Sequence, residues 1–285
     1  MISEQKAKNL RQHISRWRSA GQRIALVPTM GNLHEGHLKL VDRAHGLADK
    51  VVVSLFVNPL QFGEGEDLDS YPRTLAEDCN YLVERHTDLL FNPPISEVYS
   101  RPRSEETRVE VPGISSILCG KSRPGHFIGV TTVVCKLFNM VQPDVALFGE
   151  KDYQQLVVIR RMVEDLRIPV DIEGVATVRE TDGLAMSSRN GYLTPDERSI
   201  APALFRVLRQ TAEQLTSVTE TGPFPDLEQA ALVAIRDAGL KPDYFQIRRA
   251  SDLGVPGDDD RDLVILGAAF LGKARLIDNI QVRLT

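Results

Sequence analysis

Two histidines three residues apart, each beside a glycine-bearing turn, are the first groups in the chain whose spacing suggests chemistry. They lie in Pro28-Thr29-Met30-Gly31-Asn32-Leu33-His34-Glu35-Gly36-His37. Residues at i and i+3 share a helix face, so His34 and His37 can present two imidazoles to one ligand. Imidazole N–H groups can donate to phosphate oxygens and stabilise the charge that builds up during nucleotidyl transfer. Gly31 and Gly36 permit close approach of backbone, and a helix N-terminus offers N–H groups and a positive dipole end to phosphates. The alternatives are a loop with two solvated histidines, or half of a metal site. The second lacks an HExxH spacing and obvious partner ligands.

Three further segments have compatible chemistry. Phe148-Gly149-Glu150-Lys151-Asp152-Tyr153-Gln154-Gln155 offers Lys151 as a point charge for a phosphate and Asp152 as a helix cap. Taken alone, it reads equally well as a plain strand-to-helix turn. In Asp182-Gly183-Leu184-Ala185-Met186-Ser187-Ser188-Arg189-Asn190, two hydroxyls and a guanidinium sit in a Gly-flanked turn that suits triphosphate oxygens. In isolation a polar surface turn is the simpler reading. In FVNPLQF, Gln61 brings a donor and an acceptor for a polar substrate. Downstream of it, Asp78 is either an ordinary helix carboxylate or one of the one or two carboxylates that magnesium takes beside phosphates.

These segments need a scaffold, and the hydrophobic patterning supplies one. RIALVP is a short apolar run before the first segment, HLKLVDRAHGLA is helical in pattern, and VVVSLFV is rich in β-branched residues. Strand, Gly-containing turn, helix, strand is a βαβ unit with parallel strands. The alternation continues: a helix over Thr74–Glu84, a strand over Asp88–Phe91, a helix over Gly129–Met140, a strand in DVALFGE, a helix over Tyr153–Leu166 and a strand over Val170–Val178. The first ~20 residues, with Leu10, Ile14 and Trp17 near helical spacing, predict an amphipathic helix. This is the pattern of a doubly wound parallel sheet, in which ligands bind beyond the carboxyl ends of the strands. After residue 176 the texture changes. Thr194 and Glu197 form a capping-box signature that opens a long helix to Leu215, then a loop TSVTETGPFPD, a helix over Asp226–Ala238, and strands in DYFQIRRA, DLVILGAAF and ARLIDNI. The expected organisation is α/β: a Rossmann-like domain over residues 1–176 and a smaller α+β domain over 177–285.

Composition narrows the function classes. The chain has 285 residues, 42% hydrophobic and 26% charged, with a formal net charge of -5. That is ordinary for a soluble globular protein. Basic residues are dispersed, aromatics make up 6% and Trp17 is the only tryptophan, so neither a nucleic-acid nor a membrane-surface binder is expected. Cys79, Cys119 and Cys135 form no close pair, so no zinc knuckle or CxxC motif is present, and a reducing cytoplasmic setting is expected. The polar start MISEQKAKNLRQHISRW lacks a signal-like apolar core. The longest apolar runs, such as Val51–Val57, are strand-length rather than membrane-spanning.

Together, PTMGNLHEGH, FVNPLQF, YPRTL, GHFIGVTTVV, LFGEKDYQQL, MSSRNGYL and RLIDNI resemble the pantoate–β-alanine ligase (pantothenate synthetase) family in order and spacing over nearly the whole chain. The HxGH element also resembles that of the wider nucleotidyltransferase superfamily, beside the class I aminoacyl-tRNA synthetases, and MSSRN resembles their mobile Lys/Ser loop. The resemblance implies Mg2+- and ATP-dependent condensation of (R)-pantoate with β-alanine through pantoyl adenylate, giving pantothenate, AMP and pyrophosphate. It implies an ATP site from Met30, Gly31, Asn32, Leu33, His34, Glu35, Gly36 and His37, with His37 as the family's catalytic acid and His34 stabilising phosphate charge beside it. Gly149, Glu150, Lys151 and Asp152 would hold the nucleotide, with Lys151 on phosphate. Val178 would touch adenine or ribose, and Met186, Ser187, Ser188 and Arg189 would close over the triphosphate. Gln61 and Gln155 would grip pantoate, Gln61 would also face β-alanine, and Val133 and Val134 would wall off pantoate's methyl groups. Asn32 stands where many relatives have Ala. A homodimer, and a C-terminal domain acting as a lid, are also implied. Adenylation of a carboxylate needs no proton on the substrate side, so hydrogen-bond donation is the preferred role for His37. Two rival readings remain at this level: another nucleotidyltransferase, which would not need the Gln61/Gln155 pair, and a nucleotide-binding regulator without turnover.

Overall fold

The computed structural model describes residues 1–217 and 222–284. The chain divides into two units: Met1–Glu150 with Val158–Ala176, and Lys151–Val157 with Thr177–Thr285.

The first unit is built on β1 (Ile2–Glu4), α1 (Ala7–Ser19), β2 (Ile24–Thr29), α2 (Glu35–His45), β3 (Lys50–Leu55), α3 (Leu75–Glu84), β4 (Leu89–Phe91), α4 (Ile95–Val98), α5 (Cys119–Ser122), α6 (His126–Val141) and β5 (Val145–Gly149). The helix α7 (Tyr153–Asp165) and the strand β6 (Asp171–Val175) follow. Its sheet has the order β1-β4-β3-β2-β5-β6, and every pairing is parallel. The central strands are apolar on both faces: Ile24, Ala25, Leu26, Val27 and Val51, Val52, Val53 are all fully buried. That is the signature of a parallel sheet covered on both sides. The helix α2 lays Leu40, Val41 and Ala44 against Ala25, Val27, Val51 and Val53. The chain runs outward from β2 through β3 to β4, then returns to place β5 on the other side of β2. The direction of winding therefore reverses between β2 and β5, and crevices at the carboxyl ends of such strands are where doubly wound sheets bind ligands.

The second unit contains α8 (Pro195–Ile200), α9 (Ala203–Thr216), α10 (Pro225–Asp237) and the strands β7 (Lys241–Arg249), β8 (Asp262–Leu271) and β9 (Ala274–Arg283). The strands form an antiparallel sheet whose core joins Leu204, Val207 and Leu208 of α9 to Ile265, Leu276 and Val282. Lys151–Val157 belongs with this unit, although the sequence pattern puts the boundary at 176. Asn279 Nδ2 donates to the Lys151 carbonyl at 3.0 Å, and the Tyr153 hydroxyl donates to the Ala250 carbonyl at 3.0 Å. Long-range bonds of this kind leave no periodic trace in a sequence.

Several expectations change in detail. The long helix from Thr194 to Leu215 is two helices, interrupted at Ala201 and Pro202, because proline has no N–H for the helical ladder. The strand expected over Val170–Val178 is confined to Asp171–Val175, and the helix expected from Gly129 begins at His126. The N-terminal segment opens with the short strand β1 before its helix. The loop expected at 216–226 has its centre, 218–221, outside the described residues. The capping box holds: Thr194 Oγ1 accepts from Glu197 N at 3.3 Å and Glu197 Oε2 from Thr194 N at 2.8 Å. Replacing Thr194 by Ala is expected to cost about 1 kcal/mol, read as a lower urea midpoint at unchanged slope. An unchanged midpoint would show that the cap contributes nothing.

Candidate active site

The loop from β2 into α2 is held from below by a carboxylate. Asp78, on the first turn of α3, is 2% exposed. Its Oδ2 accepts from Asn32 N at 3.0 Å and its Oδ1 from Leu33 N at 2.8 Å, with Thr74 Oγ1 3.1 Å from Oδ1. The loop must turn tightly to meet it. Gly31 has φ +84, and a side chain there would stand 3.1 Å from Asp78 Oδ2. Asn32 has φ +51, a left-handed conformation that Asn tolerates better than most residues. Gly31 N donates to Thr29 Oγ1 at 3.3 Å. Asp78 is therefore more than an ordinary helix carboxylate, since it braces the loop. Its carboxylate is buried under the loop and engaged by two backbone N–H groups and a hydroxyl.

The same accounting narrows the set of backbone N–H groups that this helix start can offer to phosphate. His34 caps α2 through its side chain: Gly36 N donates to His34 Nδ1 at 3.1 Å. Reciprocally, His34 N donates to His37 Nδ1 at 3.3 Å, and His37 N donates to the His34 carbonyl at 2.8 Å. The N–H groups of Gly31, Asn32, Leu33, His34, Gly36 and His37 are thus all used inside the protein. The two rings lie beside these N–H groups, with centroids 4.1 Å apart. Because each Nδ1 accepts a backbone N–H, the proton of each neutral imidazole is at Nε2. The loop therefore carries two Nε2–H donors at the positive end of a helix dipole. The Glu35 side chain pairs with α3's C-cap: both of its oxygens accept from Arg85 Nη2, at 3.0 and 3.2 Å.

Gln61 is fixed beside this loop. It ends a 3-10 turn, Pro59–Gln61, and is 9% exposed. Its Nε2 lies 3.1 Å from Met30 Sδ, and its Oε1 accepts from Asn58 Nδ2 at 2.9 Å. Asn58 Nδ2 also donates to the Gly129 carbonyl at 3.0 Å, and Asn58 Oδ1 accepts from the Tyr99 hydroxyl at 2.7 Å. Burial, then the nearby charge of Glu106, push the Tyr99 phenol well above its ordinary pKa, so it remains a donor. The Gln61 carbonyl accepts from His126 Nδ1 at 2.8 Å. Arg123 donates to Glu66 through Nε at 2.7 Å and Nη2 at 2.6 Å. Burial alone would raise the Glu66 carboxyl, but the hydrogen bonds and charge of Arg123 outweigh it and hold the group below its usual range. At Gly129 a side chain would meet Leu60 and Gln61 backbone at 2.5 Å. Only glycine lets α6 approach the turn this closely. Val133 and Val134, one turn further along α6, are 6% and 4% exposed.

In the second unit, a pocket is lined in part by Lys151, Ser187, Asn190, Arg275 and Asp278. Met186 N donates to the Val178 carbonyl at 3.0 Å and Glu180 N to the Leu184 carbonyl at 2.8 Å, so residues 178–186 form a folded arm. Ser187 caps the following 3-10 turn, its Oγ accepting from Arg189 N at 3.3 Å.

Comparison with known proteins decides what this arrangement belongs to. The family model for pantoate-beta-alanine ligase matches residues 3–281. The chain is 58% identical over 279 residues to a pantothenate synthetase of Pseudomonas aeruginosa, covering 97% of each. It is 57% identical over 269 residues to one of Idiomarina loihiensis, covering 94% of this chain and 95% of the other. The chain belongs to the pantoate–β-alanine ligase family. Its fold is that of the pantothenate synthetase of Thermus thermophilus, with TM-score 0.90, 45% identity and coverage of 98% and 99%. The ligase of Francisella tularensis, solved in complex with beta-gamma ATP and beta-alanine, matches with TM-score 0.80, 36% identity and coverage of 98% and 97%. The activity is the family's: ATP-dependent ligation of pantoate and β-alanine in pantothenate biosynthesis.

The structure gathers Met30–His37 and Gln61 in the first unit, where Gly149 ends β5 and Glu150 opens the 3-10 turn after it. Lys151, Asp152, Gln155, Val178 and Met186–Arg189 are assigned to the second. Sequence reasoning about this ligase missed Asn58, Tyr99, Arg123 and His126, which build the Gln61 turn. Two of the four sit in motifs already singled out, FVNPLQF and GHFIGV, and a polar residue in such a string was the available signal. Among the described residues no cluster of three or more His, Cys, Asp or Glu could hold a metal, and no helix is long and apolar enough to cross a membrane. Asp78→Ala is expected to leave two loop N–H groups without an acceptor, at about 1–3 kcal/mol each. Thermal melting should show a lower midpoint, and the remaining folded enzyme a lower kcat/KM for ATP. A variant that melts lower but keeps wild-type kcat/KM would contradict the bracing role.

Proposed function

We propose that the ligase works by adenylating pantoate at the β2–α2 loop, with His34 and His37 acting as paired Nε2–H donors. The observation that carries this is the reciprocal cap, which occupies each Nδ1 with a backbone N–H. A carboxylate oxygen of (R)-pantoate attacks the α-phosphorus of ATP, and pyrophosphate leaves with its bond electrons. Negative charge builds on the phosphate oxygens in the transition state, and donors already fixed in place stabilise it without reorganisation. The amine of β-alanine then attacks the carbonyl of pantoyl adenylate, expels AMP and loses a proton, giving pantothenate. Adenylation is needed because a free carboxylate has no adequate leaving group for amine attack.

In this reading Gln61, oriented by Asn58, binds pantoate and faces β-alanine, with Gln155 as a second amide. Val133 and Val134 belong to the apolar wall that encloses pantoate's methyl groups. Gly149, Glu150, Lys151 and Asp152 hold the nucleotide, Val178 meets the adenosine, and Met186, Ser187, Ser188 and Arg189 embrace the triphosphate with Lys151. Asp78 is the carboxylate that would hold Mg2+ beside the phosphates of ATP, where the ion would supply charge neutralisation for the departing pyrophosphate. A catalytic domain over 1–176, with Lys151–Val157 grouped with the second unit, a lid domain over 177–285, a homodimeric assembly and a cytoplasmic location complete the proposal. His37→Ala is expected to lower pantoate-dependent pyrophosphate release roughly 100-fold or more while changing ATP affinity by less than about threefold, because a transition-state donor acts on kcat. Pyrophosphate release by quench-flow and ATP binding by calorimetry check this. A near-normal first-step rate would sink the assignment.

A further inference from the structure

Strand β9 carries two adjacent polar residues, Asp278 and Asn279, only 5% and 7% exposed, in a strand that otherwise gives Ala274, Leu276 and Val282 to the core. Buried polar side chains destabilise a fold unless they are paired. Both are paired, and with segments that carry phosphate chemistry. Asp278 accepts from Arg179 twice, Nη1 to Oδ2 at 2.6 Å and Nη2 to Oδ1 at 3.0 Å. The same guanidinium lies 3.7 Å from the Phe205 ring centre, and its Nη1 donates to the Gly183 carbonyl at 3.1 Å. Arg179 is therefore pinned to the sheet, to α9 and to the far side of its own arm. Since residues 178–186 are hydrogen-bonded across that arm, holding Arg179 holds the base from which Ser187–Arg189 projects. Asn279 grips the other segment: its Nδ2 donates to the backbone carbonyl of Lys151 at 3.0 Å. Successive strand residues project to opposite faces, which lets one dipeptide hold two separate pieces of chain. Asp278, Lys151 and Ser187 line one small pocket, so the two held segments meet beside the dipeptide.

We propose that Asp278-Asn279 is a positioning element for the ligase reaction, setting the Lys151 turn and the 178–189 arm, the two segments that the proposed function brings to the polyphosphate of ATP. Neither residue touches substrate. Asn279 acts through Lys151 and Asp278 through Arg179. The inference rests on the phosphate role proposed for Lys151, and the test separates the two.

Pyrophosphate release is measured for the wild-type chain, Asn279→Ala, Lys151→Ala and the double variant, with thermal melts of each. Lys151→Ala is expected to slow adenylation by two orders of magnitude or so. Asn279→Ala is expected to slow it roughly tenfold or more at saturating ATP, since misplacing a catalytic group by about 1 Å can cost 100-fold, with KM for pantoate within about twofold. The double variant should be no more than about twofold slower than Lys151→Ala, because the two residues act as one unit. Losses that multiply in the double variant, or a single-variant loss that merely tracks the folded fraction, would overturn the proposal. A Lys151→Ala enzyme with wild-type rate would instead overturn the phosphate role of Lys151, and the proposal with it. If Asn279→Ala fails to fold, the near-isosteric Asn279→Leu removes the same donor and is read in the same cycle.

Discussion

A single buried carboxylate sets the geometry on which the catalytic loop depends. Asp78 reaches up from α3 and takes the N–H groups of Asn32 and Leu33, which forces the chain leaving β2 into two consecutive left-handed residues, Gly31 and Asn32. That turn delivers His34 to the cap position of α2. Once His34 is there, its ring and that of His37 each accept a backbone N–H, and the tautomer of both follows. A charged hydrogen-bond acceptor in a nearly dry site is stronger than a neutral one, and an unpaired buried carboxylate would be costly. The loop and Asp78 therefore need each other.

The rest of the first unit serves the same end by different means. Gln61 is placed by steric fit and neutral hydrogen bonds: Gly129 admits the turn, Asn58 orients the amide, and His126 holds the carbonyl. Charge enters around it, where Arg123 meets Glu66, Lys136 meets Glu106 and Arg85 meets Glu35 and Asp42. The more exposed pairs of Arg85 contribute little to stability. In the second unit a buried pair, Arg179 and Asp278, fixes an arm in the same way.

Much of this is legible in the sequence because the decisive signals are local. RIALVP before PTMGNLHEGH, and a helical pattern after it, give strand, turn and helix at once, and the alternation of such units gives the parallel sheet. The seven motif strings are long and specific enough to give the family. What stays illegible depends on contacts distant in sequence. Nothing near Asp78 says whether it faces solvent, metal or the underside of a loop 45 residues away. The use of backbone N–H groups by His34 and His37 is invisible until the cap is built. Lys151–Val157 joins the second unit through partners about a hundred residues later. The break at Pro202 is readable in principle, but the strong helical pattern on either side of it masks the proline.

The account turns on both imidazoles being neutral Nε2–H donors rather than proton sources, and 15N NMR of the histidine rings reads that directly. In the full-length enzyme at neutral pH and above, His34 and His37, assigned by single His→Gln variants, should both show a protonated Nε2 and a bare, hydrogen-bonded Nδ1, and should keep that form when ATP and pantoate are bound. A proton on Nδ1 of either ring, or a doubly protonated His37 in the loaded enzyme, would contradict the account and return His37 to the role of acid.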